Sequence, residues 1–157
     1  MTERSQHGIL SPGIHEMSME EIGRLFGNVP KPRYRLRLFE TFQKYVERLQ
    51  TLHIGIALIV DGSFVMPCVE KPADIDIVLV MPENWRHTIE IIPPEQYNLL
   101  SPVRVEAEFT GLHLFAVAEN SLEYHGWIRW FSNIKDDWCF MFDIPDNISK
   151  GLIRVTL

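Results

Sequence analysis

Two aspartates, Asp74 and Asp76, stand two residues apart at the head of an apolar run, Ile75 to Val80, rich in β-branched residues. Side chains alternate across a strand, so both carboxylates share one face while Ile75 and Ile77 point into a core on the other. Two acids side by side on a buried strand are electrostatically costly unless a cation neutralises them. The pair therefore demands a sheet buried on one face and open, at the aspartates, on the other. A divalent metal such as Mg²⁺, which takes carboxylate oxygens, is the usual partner of such a pair.

Upstream, Ile54 to Val60 is a second apolar run of strand length, and it ends in Asp61-Gly62-Ser63. The Gly62-Ser63 turn carries no bulky side chain. Its backbone N–H groups and the Ser63 hydroxyl are free to face a phosphate. Pro67 and Pro72 make the link from Ser63 to Asp74 a loop rather than a regular helix. Lys71 lies in this link, placed either to meet a phosphate or simply to be solvated.

The rest of the chain supplies helices and further strands. Ser18 and Glu21 have capping-box spacing, and Met19, Ile22, Leu25 and Phe26 follow at helical intervals up to Gly27. From Arg33 to Leu52 an apolar stripe of Leu38, Phe42, Tyr45, Leu49 and Leu52 predicts a long helix. Lys31, Arg33, Arg35 and Arg37 crowd its start, which reads as a solvated face before it reads as a phosphate or RNA surface. Glu95 to Leu100 predicts a short helix. Val103 to Phe109 alternates like a strand, but Ser101-Pro102 and Gly111 bracket it as a helix, and a parallel crossover needs one there. Leu112 to Val117 is the third strand, Ser121 to Phe131 a helix, and Trp138 to Phe142 and Gly151 to Leu157 late strands. Met1 to Gln6 are polar and read as disordered.

A length of 157 residues with 46% hydrophobic and 23% charged residues fits one α/β (α+β) domain with a real core. The net charge of −6 argues against a passive nucleic-acid coat, though not against a local basic patch. Cys68 and Cys139, in no ligand spacing, read as inert thiols of a reducing cytoplasm. No signal pattern and no membrane-spanning run is present. Trp127, Trp130, Phe131, Trp138, Phe140 and Phe142 are spaced as ordinary core, with base stacking the lesser alternative. The remaining histidines show no ligand spacing, although His7 and His15 bracket an arm able to fold over a site or to cap turns.

Gly-Ser, ten residues, then Asp-x-Asp is similar to the signature of the nucleotidyltransferase superfamily with the DNA polymerase β-type catalytic fold. The resemblance implies that Gly62 and Ser63 hold a nucleoside triphosphate and that Asp74 and Asp76 hold Mg²⁺ and carry catalysis; Lys71, by its place in the link alone, is a further candidate phosphate contact. His7 to His15, Leu25-Phe26-Gly27, Asp61 to Val65 with Pro72 to Asp76, and Lys150 to Ile153 together resemble one poorly characterised bacterial family of small nucleotidyltransferase-like domains. That match implies a single domain over residues 1–157, with 1–16 as an N-terminal arm, and a small mixed β-sheet carrying helices. The Gly-Ser and Asp-x-Asp signature also resembles that of small nucleotidyltransferases in toxin–antitoxin and phage-defence pairs, which by analogy implies transfer of a nucleoside monophosphate to a hydroxyl on tRNA or a partner protein. The alternative is a catalytically silent nucleotide-binding or protein-interaction module. One departure weighs on that choice. The superfamily places a third carboxylate on the next strand, where this chain offers His113, read here as a hydrogen-bonded core histidine before a metal ligand. Glu106, Glu108 and Glu119 are the nearby substitutes.

Overall fold

A computed structural model describes residues 8–27, 33–86 and 92–157. Its centre is the antiparallel pair β2 (Ala57–Asp61) and β3 (Ile75–Met81), with β4 (Leu112–Ala118) parallel to β3. On the other side β5 (Gly151–Thr156) runs antiparallel to β2, and β1 (Gly13–Glu16) runs parallel to β5. The sheet order is β1-β5-β2-β3-β4. This mixed sheet with helices packed on it is the α+β fold that the sequence predicts.

Alternation along the strands divides the core into two layers. Leu58, Val60, Ile75, Ile77, Leu79, Leu112, Leu114, Ile153 and Val155 face α2 (Arg33–Thr51) and bury its stripe of Leu38, Phe42, Tyr45 and Leu49. Burying each such side chain contributes roughly 1.5–3 kcal/mol. Ala57, Ile59, Val78, Val80, Val117 and Leu152 face the opposite way, toward α5 (Leu122–Ser132), against Phe131 with Trp127 and Ile128. Tyr45 ties the first layer together by donating its buried hydroxyl to the Leu99 carbonyl at 2.7 Å. The helices α3 (Pro94–Leu100) and α4 (Pro102–Glu108) form the crossover from β3 to parallel β4, so the need for a crossover decides Val103 to Phe109 against its strand-like alternation. α1 (Met19–Ile22) starts at the Ser18 and Glu21 capping box and continues as a wider turn to Gly27.

Four expectations are corrected. Trp138 to Phe142 is not a strand but part of α6 (Asp136–Phe142). Asp136 and Asp137 in its first turn suit the helix dipole, Trp138 stacks on Phe142 one turn later, and Asp143 ends it in a left-handed conformation. The described part of the N-terminal arm, from Gly8 on, joins the sheet: Ile9 and Leu10 are buried, and β1 edges the sheet. The second apolar run enters the sheet only at Ala57, because His53 and Gly55 take positive φ in the turn out of α2. Among the aromatics, Trp127 packs on Phe115 and Phe131, whereas Trp130 and Phe140 are exposed and not core. Met1 to Gln6, His7, Lys31 and His87 lie outside the described residues. No described helix is long and apolar enough to cross a membrane.

Candidate active site

The rows of side chains that face α5 do not stay apolar to the end of the sheet. Two residues beyond Ile59 the row reaches Asp61, and ahead of Val78 it reaches Asp76 and then Asp74. On β4 the row of Val117 and Phe115 ends in His113, and ahead of Leu152 it reaches Lys150. Register locks these together: Asp61 pairs with Asp76 across β2 and β3, and Asp76 pairs with His113 across β3 and β4. The sheet thus ends, on its α5 face, in a polar cluster assembled from four strand ends.

Asp74, Asp76 and His113 present one ligand atom each, all within 4.8 Å of one another. Nδ1 of His113 stands 3.5 Å from Oδ2 of Asp74 and 3.4 Å from Oδ1 of Asp76. Its Nε2 faces Oε1 of Glu106 at 3.6 Å. His113 is therefore not the core, hydrogen-bonded residue that the sequence favours: its side chain is 41% exposed and, among the described residues, makes ion-pair approaches only. Of the three substitute acids, Glu106 alone comes to the cluster. Glu108 pairs with Arg48, and Glu119 follows the far end of β4. Burial, and then the neighbouring Asp74 charge, push the Asp76 carboxyl above its usual range, while His113, Lys135 and Lys150 pull it back.

Gly62 fits this cluster through what it lacks. Its φ of +87° is a left-handed conformation, and a Cβ there would stand 2.6 Å from Oδ2 of Asp76. Gly62→Ala should destabilise the fold by about 2 kcal/mol, through backbone strain and displacement of Asp76. Urea denaturation checks this, and an unchanged midpoint would remove the contact from the account. Ser63 opens the short turn Ser63–Val65, which has no side-chain cap hydrogen bond at its start. Lys71 is exposed in the same loop and forms no ion pair or hydrogen bond with the acids among the described residues.

Two residues whose structural roles sequence reasoning missed hold this geometry. Lys150 places Nζ 3.1 Å from Oδ1 of Asp61, and both side chains are almost fully buried. Burial nevertheless pushes the Asp61 carboxyl up to about 6, so the cost of desolvation exceeds what the Lys150 charge returns. The second residue is Arg35, fully buried at the start of α2. Its guanidinium donates to the carbonyls of Phe26, Ser63, Phe64, Met66 and Val69, and so clasps the whole turn that follows Gly62. This overturns both readings of Arg35 as a cation on an open helix face. Arg33 and Arg37 do remain exposed.

The class defined by these features is an α+β domain with an acid–histidine cluster at one end of a mixed sheet. The chain belongs to a family described as "Family of unknown function (DUF6932)", whose model matches residues 2–156. No curated protein and no solved structure matches it.

Proposed function

We propose that the protein is a nucleotidyltransferase-like enzyme that binds a metal-complexed nucleoside triphosphate and passes its nucleoside monophosphate to an acceptor hydroxyl. The observation that carries this reading is the contact of Gly62 with Asp76, which joins the phosphate-type turn to the two acids. The donor set suits a divalent cation: two carboxylates and an imidazole nitrogen lie together on one open face. Asp74 and Asp76 would hold such an ion, which supplies positive charge to the phosphate oxygens. The Ser63 hydroxyl and the N–H groups of its turn donate to the β- and γ-phosphates. The acceptor oxygen attacks the α-phosphorus, the α–β bridging bond breaks, pyrophosphate leaves, and a cluster carboxylate takes the hydroxyl proton. No covalent enzyme intermediate is needed, and catalysis is positioning plus charge stabilisation.

The acceptor belongs to tRNA or to a partner protein, in a cytoplasmic toxin–antitoxin or phage-defence setting. Burial of Arg35 removes one cation from any RNA surface at the start of α2, which favours the protein acceptor. A second reading, a catalytically silent nucleotide-binding module, is favoured by one observation: His113 occupies the β4 position opposite Asp76 where a third carboxylate would complete a two-metal site.

Calorimetry with ATP, CTP, GTP and UTP, with and without Mg²⁺, tests the binding. At least one triphosphate should bind, and Asp74→Asn combined with Asp76→Asn should weaken it about tenfold or more. Affinity unaffected by the double substitution would overturn the site. Transfer of α-label to RNA or protein, lost in Asp76→Ala, separates the enzyme from the silent module.

A further inference from the structure

We propose that Asp74, Asp76 and Nδ1 of His113 form a single three-ligand site that prefers a first-row transition ion such as Mn²⁺ over Mg²⁺. The proposal deepens the reading of Asp74 and Asp76 given above, but its test needs no nucleotide. Three observations carry it. Asp76 and His113 are register partners on adjacent parallel strands, so their side chains emerge side by side on one face, with Asp74 next in the row. Nδ1 stands 3.4 and 3.5 Å from the two carboxylates, longer than the usual N–H···O hydrogen bond. Two donors about 2.1 Å from a shared ion, at ordinary coordination angles, lie about 3.0–3.5 Å apart. The imidazole is thus spaced as a ligand beside ligands.

The third observation is the far side of the ring. Nε2 faces the Glu106 carboxylate at 3.6 Å. A metal-bound histidine characteristically offers its other ring N–H to a carboxylate, which fixes the tautomer and leaves the first nitrogen's lone pair for the ion. Glu106 is the carboxylate nearest that nitrogen, at a distance longer than a hydrogen bond, and stands where such an outer partner belongs. Charge also fits a divalent ion, since the set brings two carboxylates while the nearby Asp61 is already paired with Lys150. A nitrogen in the set decides the ion. Mg²⁺ takes oxygen ligands in a near-ideal octahedron, whereas first-row transition ions also accept an imidazole nitrogen, Mn²⁺ least strongly among them. Replacing the expected third carboxylate by histidine therefore changes the metal that the site selects.

The test is a titration of the full chain with metal alone. Loss of the free Mn²⁺ paramagnetic signal should report one ion per chain, displaced only by a Mg²⁺ excess of about tenfold or more. Co²⁺ should give visible bands of a nitrogen-containing ligand set. His113→Asn should weaken Mn²⁺ about tenfold or more and alter the Co²⁺ bands, with Mg²⁺ affinity little changed. His113→Asp should raise Mg²⁺ affinity and erase the preference. Thermal melts confirm that both variants fold. Equal affinity for Mn²⁺ and Mg²⁺, Mn²⁺ binding indifferent to His113→Asn, or no Mn²⁺ binding without nucleotide would each overturn the proposal. None of these results would by itself overturn nucleotide binding, which the calorimetry with Mg²⁺ decides.

Discussion

Arg35→Met is expected to destabilise the protein by about 4 kcal/mol or more, which approaches the whole stability of a typical domain. The guanidinium is fully buried, and no carboxylate pairs with it among the described residues. Its charge is met instead by carbonyl oxygens: Phe64 and Val69 at 2.6 Å, Met66 at 2.7 Å, Phe26 at 3.1 Å and Ser63 at 3.4 Å. The guanidinium carbon also lies 5.4 Å from the centre of the Phe64 ring. Burial lowers its pKa to about 10, still far enough above neutrality to keep the group charged. Methionine fills much of the volume but orphans these carbonyls, and each buried unsatisfied group costs about 1–3 kcal/mol before the loop relaxes. The loop that relaxes is the one that begins at Gly62-Ser63, so the nucleotide affinity proposed for that turn should fall with stability. Arg35→Lys should recover only part of the loss, since a compact ammonium with three donors cannot replace a planar fork that spans several carbonyls. Guanidinium chloride denaturation with linear extrapolation measures both variants. A loss under about 1 kcal/mol for Arg35→Met would show that the loop holds its shape without the clasp.

Arg35 also shows where sequence reading stopped. It lies three residues before Leu38 and seven before Phe42, in phase with the buried stripe of α2. The signal was a cation on an apolar face, masked by exposed Arg33 and Arg37 on either side. The central strands were legible for the opposite reason: β2, β3 and β4 are nearly pure apolar runs, and their alternation fixes which face Asp74 and Asp76 occupy. Helices were legible where a cap or a stripe stood out, as at Ser18 and along α2. α6 was not, because Trp138 to Phe142 is aromatic enough to read as strand, and its helical cues lie in Asp136 and Asp137 just upstream. β1 escaped because its strand pairing is made by β5, far along the chain, and its own four residues show no burial alternation. The meeting of His113 with Asp74 and Asp76 depends on register, which the sequence does not state. The pairing of Asp61 with Lys150 depends on β5 returning beside β2.

That pair should make stability depend on pH in a way that Lys150→Met exposes. The folded-state pKa of Asp61 is raised from 3.8 to about 6, mainly by burial. Below about pH 4 the carboxyl is protonated in both the folded and unfolded chain. Between the two pKa values the folded chain holds a proton that the unfolded chain has released, so this group's contribution to stability falls as pH rises, by about 3 kcal/mol in all. Above the folded pKa the carboxylate is ionised and Lys150, at 3.1 Å, is its ion-pair partner. Lys150→Met then leaves a buried charge uncompensated, and at pH 7.5 the cost should be about 3–5 kcal/mol. At pH 4.5 the same substitution removes a buried cation that faces a neutral acid, so the cost should shrink toward zero or change sign. Adding Asp61→Asn to Lys150→Met should recover much of the loss at pH 7.5, because neither charge is then stranded, and the double-mutant cycle isolates the coupling. Urea midpoints of the four chains at the two pH values are the measurement. A Lys150→Met cost of the same size at both would mean that Asp61 stays protonated, or stays ionised, across the whole range, and that its ionisation does not set the stability of this end of the sheet.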